Sequence, residues 1–403
     1  MSQADKDARY FFTTYKRLPL EIDYGEGSYV YTKDGRKYLD LFAGIAVNAL
    51  GHNCPAVIAA IESQMRRYIH VSNMFHQDTQ IDLAELLLKT SGYDRIFFTN
   101  SGTEAMEGAL KVARKWGKNR GKANIFGMSD SFHGRTMGAL SITGRDKYRE
   151  GFEPFLPNTS ILKFNKVDDL AYAVNDKTLA VVLEFIQGEG GINLVSTEYI
   201  QMLSALKDKY RFLIIADEIQ AGLGRTGKFF SFEHFGIVPD IVVIAKAVGG
   251  GLPLGAFLGT RTVADVLTSG THGTTFGGNP VACAAGLATL RELLLNGVME
   301  NARTVGEYLK GELLEVQHSF PSIVKDVRGI GLMVGLELTI DGTAIIDKLR
   351  EEGVLLNLTN NTVIRWVPPL NITRIEIDQA TEALRNVLHS LRIEENKAIT
   401  GTL

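Results

Sequence analysis

The chain has 403 residues, of which 45% are hydrophobic and 22% charged, and a formal net charge of -3. Its length exceeds the size at which one hydrophobic core usually splits, so a large domain with a smaller companion is expected. The near-neutral charge gives no electrostatic footprint for nucleic acid, and small molecules are the expected partners. In chain order, residues 1–9 are polar with mixed charges, unlike a signal or transit peptide, and no apolar run is long enough to span a bilayer, so no membrane partner is expected. Residues 28–41 read as a hairpin turning at Asp34-Gly35. From about residue 55 to 290, helical stretches alternate with short apolar runs at 96–99, 180–184, 212–216 and 241–245, the pattern of a mainly parallel sheet covered by helices. Beyond Gly297 the order becomes a helix near 299–317, a strand at 331–338, a helix near 343–352, a hairpin through Thr359-Asn360-Asn361 and a terminal helix near 377–391. The expected division is therefore an N-terminal segment, 1–54, packing with a small α+β domain, 297–403, beside a large domain, 55–296.

Two apolar runs end on ionisable residues. Asp217 closes the run 212–216, and Lys246 follows 241–245 and precedes Gly249-Gly250-Gly251. In an open α/β sheet ligands bind at the carboxyl edge, where this amine and carboxylate would meet one bound molecule. A buried lysine is deprotonated part of the time and can attack a carbonyl, while a carboxylate can keep a ring nitrogen protonated; the pair suggests pyridoxal phosphate. A solvated lysine and a capping aspartate are the plain alternatives. Asn100-Ser101-Gly102-Thr103 opens a helix after a strand, which is a phosphate site or an ordinary cap. Phe132, His133 and Arg135 crowd one short loop, where an aromatic can stack on a ring and a guanidinium can grip a carboxylate, or where all three simply pack. Glu184 ends a buried run, and Glu189 lies in Gln187-Gly188-Glu189-Gly190-Gly191. Acidic groups there can balance arginines or sit solvated in a turn. Thr274 and Thr275, in the segment 272–280, suit a second phosphate contact. Arg365 lies in a strand from which it faces either the cleft or solvent.

The segment 222–228 satisfies G-x-G-x-x-G and most of the P-loop pattern, but Phe229 stands where the P-loop needs Ser or Thr, and Asp217 to Gln220 separate the strand from the glycines. A nucleotide site is therefore not expected. Cys54 and Cys283, the only cysteines, lack C-x-x-C spacing; neither disulfide nor metal site is indicated, and a reducing cytoplasm is expected.

Taken in order, these motifs resemble the class III pyridoxal phosphate-dependent aminotransferases of fold type I, and among them the members acting on N2-acetyl-L-ornithine. The matching text is 100–105, 132–136, Asp217-Glu218-Ile219-Gln220 with Gly224-Arg225-Thr226-Gly227, Lys246 with its glycines, 274–280, and 42–47 near the start. The resemblance implies an α/β chain of fold type I, with a large mainly parallel-sheet domain and a smaller α+β one. It implies that Lys246 carries the cofactor and shuttles the substrate proton, Asp217 pairs with the ring nitrogen, and Gln220 bonds the phenolic oxygen. Ser101, Gly102 and Thr103 would hold phosphate, joined by Thr275 from the second subunit of a homodimer whose active sites lie at the interface. Phe132 would stack on the ring with His133 nearby. Arg135, assisted by Thr274, would hold the donor's remote carboxylate, and Arg365 the α-carboxylate of glutamate or 2-oxoglutarate, with Glu189 masking that arginine between half-reactions. Glu184 and Tyr15 complete the substrate residues. The implied reaction moves the δ-amino group of N2-acetyl-L-ornithine to 2-oxoglutarate, giving N-acetyl-L-glutamate 5-semialdehyde and L-glutamate, in arginine biosynthesis. Ornithine, 4-aminobutyrate, succinylornithine, N-succinyldiaminopimelate and acetyllysine are alternative donors, and an aminomutase or decarboxylase is the further alternative. Phe185 departs from the family's usual proline and is expected to reshape the strand end slightly.

Overall fold

In a computed structural model that describes residues 3–400, Met1-Ser2 and Gly401-Thr402-Leu403, the outer ends of the first and third expected domains, lie outside the described residues. Ile22–Glu26 (β1), Tyr29–Thr32 (β2) and Lys37–Asp40 (β3) form an antiparallel unit with its β2–β3 turn at Asp34-Gly35. The central sheet begins with Arg95–Thr99 (β4), Asn124–Met128 (β5), Thr159–Leu162 (β6) and Thr178–Leu183 (β7). A two-stranded ribbon, Ile186–Gln187 (β8) and Asn193–Leu194 (β9), intervenes before Leu213–Asp217 (β10), Ile241–Ile244 (β11) and Gly255–Gly259 (β12). The order across the sheet is β4-β12-β11-β10-β7-β5-β6. Neighbours are parallel except around β12, which runs antiparallel to both β11 and β4.

Every residue of β7, β10 and β11 is buried, which is why these strands read as unbroken apolar runs rather than alternating ones. Each buried Val, Ile or Leu there stabilises the sheet by roughly 1.5–3 kcal/mol. One flanking helix, Gly102–Gly117, packs close because its inner face carries small residues, Ala105, Gly108, Ala109 and Ala113. A Cβ on Gly108 would come within 2.2 Å of the Phe257 ring on β12.

The C-terminal strands are Val324–Ile330 (β13), Met333–Leu338 (β14), Val354–Leu355 (β15), Asn357–Thr359 (β16) and Val363–Trp366 (β17). Four of them form an antiparallel sheet in the order β13-β14-β17-β16, while β15 pairs in parallel with β3. The helices Val298–Ser319, Thr343–Glu351 and Arg374–Thr400 accompany them.

The sequence reading leaves out β1, β6, β12, β13 and the short β8, β9 and β15, and the structure trims the strand expected at 331–338 to β14. Gly331 takes a positive φ of 58° in the turn that separates β13 from β14. Phe185, just past β7, is fully buried against the rings of Phe232 and Phe235. The P-loop-like stretch is a brace between units. Its Arg225 is buried and donates through Nη1 to the carbonyls of Leu332, at 3.0 Å, and Pro368. Among the described residues no single helix is long and apolar enough to cross a membrane. The consecutive helices Pro280–Leu295 and Val298–Ser319 reach that length only as a pair bent by 63°, and the first buries most of its apolar side chains in the core.

Candidate active site

Because β4, β5, β7, β10 and β11 share one direction, their carboxyl ends share one edge of the sheet, and the chain leaving each delivers polar side chains there. Asp217 is the last residue of β10, Lys246 follows β11, Glu184 follows β7, the loop with Phe132, His133 and Arg135 follows β5, and Ser101 to Thr103 follow β4. These residues converge on a cavity of about 460 Å³, walled also by Glu189, Gln220, Val47, Ile219, Leu252 and Pro253. That volume suits a drug-sized ligand or cofactor. A second cavity, about 360 Å³ between β4 and residues 263–268, has Asp265 in its lining but none of Lys246, Asp217, Glu184 and Glu189.

Lys246 sits in the left-handed region at φ 53°, a conformation disfavoured for a side-chain-bearing residue and characteristic of functional sites. Burial pushes its amine down to about 8, with the Arg365 guanidinium adding to the effect and Glu189, Asp217 and Glu184 opposing it. A fraction of the amine is therefore neutral, and nucleophilic, near neutral pH. Asp217 accepts the Ile219 amide at 3.1 Å and pairs with His133 Nδ1 at 2.7 Å. The other imidazole nitrogen of His133 is buried without a partner.

The phosphate-type end is a helix N-terminus. Ser101 caps the helix Gly102–Gly117 by accepting from the Glu104 amide at 3.4 Å, and Glu104 in return accepts from the backbone and side chain of Asn100 at 2.8 and 2.9 Å. At Gly102 a Cβ would lie 2.6 Å from Ile219 Cδ1, closing the gap between the helix start and the cavity wall. Thr103 Oγ1 meets Thr136 Oγ1 at 2.8 Å and accepts the Thr136 amide at 3.3 Å, docking the 131–136 loop on the helix. That contact requires glycine at 134, whose φ is 132° and whose added Cβ would fall 2.2 Å from Thr103 Oγ1. The pieces fit a phosphorylated ring with an aldehyde: helix amides and hydroxyls at one end, an acidic residue in the floor, and an amine at the end of the adjoining strand.

Two arginines flank the lysine. Arg135 is exposed on the cavity rim, its guanidinium 3.9 Å from the Tyr148 ring centroid and 5.5 Å from that of Phe132. Arg365 is 1% exposed, so the solvent-facing alternative is wrong: all four residues of β17 are buried, and alternation has no wet face to point to. Its Nη1 donates to Glu189 Oε1 at 2.5 Å and to Gln220 Oε1 at 3.1 Å, and its Nε to Asn357 Oδ1 at 3.2 Å. Burial raises the Glu189 carboxyl, but the Arg365 charge and hydrogen bond outweigh it and hold the group below its ordinary range.

Glu184 is buried in the wall with Oε1 accepting from the Phe132 amide at 2.8 Å and Oε2 from Gly188 at 2.7 Å. It thereby ties two cavity loops together. Burial pushes it up to about 7, partly offset by His133. The structure does not bring every expected residue into this single-chain cavity. Thr274 lies behind the helix start, accepting from Asn100 Nδ2 at 3.3 Å, while Thr275 and Tyr15 are exposed. Residues that the sequence reading does not single out are Arg145, Asn357 and Asn360, which surround the Glu189–Arg365 pair, and Ile219 and Leu252 in the wall. No spacing pattern distinguishes them.

Comparison with known proteins accords with this arrangement. Residues 10–388 match the family described as aminotransferase class-III. The chain is 45% identical over 375 residues to the acetylornithine aminotransferase of Clostridium acetobutylicum, covering 92% of this chain and 97% of that protein. It is 44% identical over 390 residues to the acetylornithine aminotransferase of Caldanaerobacter subterraneus subsp. tengcongensis, covering 96% and 99%. Its fold superposes with a TM-score of 0.93 on the ornithine aminotransferase of Toxoplasma gondii, a structure with partial occupancy of PLP at its active site; the two are 33% identical, with 98% and 95% of the chains covered.

Proposed function

The chain belongs to the class III aminotransferases, and from that premise we propose that it transfers the δ-amino group of N2-acetyl-L-ornithine to 2-oxoglutarate, yielding N-acetyl-L-glutamate 5-semialdehyde and L-glutamate. It is a pyridoxal phosphate-dependent aminotransferase of fold type I. The cofactor, when bound, supplies an electron sink that makes the carbon bearing the substrate amine acidic. The observation that carries the substrate proposal is the presence of two separate guanidiniums at the lysine's cavity: Arg135 on its wall, and Arg365 behind the wall, where its charge acts on Lys246 and it is paired with the cavity-lining carboxylate of Glu189. An ω-amine donor has its carboxylate far from the reacting nitrogen, whereas glutamate and 2-oxoglutarate have one beside it. Two separate cations serve the two cases.

In this reading Lys246 holds the cofactor and then moves a proton at the substrate carbon. Asp217, oriented by His133, holds the ring nitrogen protonated, and Ser101, Gly102 and Thr103 hold the phosphate. Phe132 covers the ring face, and Gln220 bonds the phenolic oxygen. Arg135 with Thr274 receives the donor's carboxylate, Arg365 receives the α-carboxylate of the 2-oxo acid, and Glu189 neutralises Arg365 while the donor is bound, since a buried unpaired cation is costly. Glu184 acts by bracing the loops of Phe132 and Gly188, and Tyr15 closes over the substrate. Residues 55–296 form the cofactor-binding unit; residues 297–403, with 1–54 packed on them, form the smaller one, a grouping supported by the β3–β15 pairing.

A homodimer completes the site, with Thr275 reaching the second subunit's cofactor. Supporting this, the exposed Met74, Phe75, Ile69 and Phe276 lie on loops tied together by Asn73 and Asn279, an apolar surface of the kind that marks an interface. Cytoplasmic location and a place in arginine biosynthesis belong to the same reading. Ornithine is the second donor considered, because the solved structures that this fold resembles include ornithine aminotransferases. Arg135→Ala separates the two roles. We expect the KM for acetylornithine to rise at least about tenfold while that for 2-oxoglutarate stays within about twofold; unchanged acetylornithine kinetics would remove Arg135 from the donor site.

A further inference from the structure

The loop that carries Glu189 is held at every carbonyl from 189 to 191. Arg145 Nη1 donates to Glu189 O. Gly190 O accepts from Asn193 Nδ2 at 2.9 Å and Asn360 Nδ2 at 2.8 Å, and Gly191 O from Arg328 Nε at 3.0 Å and Nη2 at 2.7 Å. On the other side Gly188 donates to Glu184 at 2.7 Å. A backbone pinned this way does not swing, so Glu189 leaves Arg365 by rotation of its own side chain. The departing carboxylate, in the wall of a cavity and largely shielded from solvent, then needs a second positive partner, because a poorly solvated carboxylate without one is unfavourable.

Arg145 is placed to be that partner. It is 8% exposed, and its other hydrogen bond, from Nη2 to Asn360 Oδ1 at 2.5 Å, also ends on a neutral oxygen. A desolvated guanidinium whose hydrogen bonds end on neutral oxygens has no carboxylate directly on it, although its charge already helps hold the Glu189 carboxyl down from a distance. Because the guanidinium already sits on the carbonyl of Glu189 itself, rotation about that residue's side-chain torsions brings the carboxylate to it without backbone movement. Lys246 also faces Glu189, but its amine is committed to the cofactor and the substrate proton.

We propose that Arg145 is a positioning residue for the second half-reaction: it receives the Glu189 carboxylate when the α-carboxylate of a 2-oxo acid takes Arg365. This rests on the reading that Arg365 binds that carboxylate. Glutarate, an unreactive dicarboxylate, probes the site by calorimetric titration of the cofactor-loaded protein, alongside steady-state KM values. Arg145→Gln should weaken glutarate binding about tenfold and raise the KM for 2-oxoglutarate similarly, with the amine donor's KM changed less than about twofold. In a Glu189→Gln background the same substitution should have no effect, since no carboxylate remains to be rehoused. Wild-type glutarate affinity in Arg145→Gln, or an equal loss in the Glu189→Gln background, would overturn the inference, the latter by reducing Arg145 to a loop support. Arg365→Gln distinguishes the failures. If it binds glutarate as tightly as wild type, the underlying reading falls; if it loses affinity while Arg145→Gln does not, the inference alone falls.

Discussion

At the scale of the residue, the proposed chemistry depends on an amine whose environment makes it available. Burial and Arg365 push Lys246 down to about 8 from an ordinary 10.5. In the cofactor-free protein an ammonium at this position is therefore penalised. Unfolded chains hold the proton up to about 10.5 and the folded chain gives it up near 8, so the fold gains stability as pH rises through that window and bears the full penalty below it. Lys246→Met should accordingly stabilise the cofactor-free protein at pH 7, by at most about 3 kcal/mol, and the advantage should shrink toward pH 10. Urea midpoints across that range read this directly; a pH-independent difference would mean that the amine is not perturbed. The same variant should lose turnover by at least about 10³-fold while remaining folded. Lys246 and Asp217 were legible in the sequence because each directly follows an unbroken apolar run. Arg145 was not, since nothing in the letters around it separates a buried guanidinium from the neighbouring Arg149, and only the approach of residues 189 and 360 gives it a role.

At the scale of the element, the site depends on short segments held in unfavourable conformations. Ala43, Gly44, Ile45 and Ala46 all have positive φ, 47°, 65°, 62° and 61°, and this left-handed turn delivers Val47 to the cavity. Left-handed backbone costs roughly 1–2 kcal/mol per side-chain-bearing residue. Asp40 supplies compensation: its Oδ1 accepts the amides of Phe42 and Ala43 at 3.1 and 2.8 Å, and its Oδ2 meets His52 Nε2 at 2.8 Å. Asp40→Ala should therefore destabilise the protein by about 2–3 kcal/mol, more than His52→Ala, as measured by denaturant midpoint. A change within about 0.5 kcal/mol would show that the turn does not depend on Asp40. The motif 42–47 was visible as a resemblance, but its handedness was not, because the residues Ala, Ile and Ala carry no signal for positive φ. β12 escaped notice for a different reason. Its five residues, two positions beyond Pro253, begin and end in glycine, so the letters look like loop until β4 and β11 pair with both its edges.

At the scale of the molecule, the alternation of helices and apolar runs was enough to give a mainly parallel sheet and hence the edge at which ligands bind. It was not enough to place the C-terminal arginine. Arg365 belongs to a strand buried on both faces, where period-two reasoning fails, and its partners come from residues far away in sequence, Glu189 and Gln220. Assembly of the site therefore depends on the C-terminal sheet closing against the central one, a long-range arrangement that local patterns do not encode. In the proposed reading, substrate choice is decided at the same scale, between Arg135 on one side and the Glu189–Arg365 pair on the other. The most direct measurement is a single-turnover reaction of the cofactor-loaded protein with acetylornithine, ornithine, succinylornithine or 4-aminobutyrate, followed by the visible absorbance of the cofactor. The account predicts that acetylornithine bleaches it fastest and that 2-oxoglutarate restores it; equal or faster bleaching by another donor, or no change with acetylornithine, would contradict it.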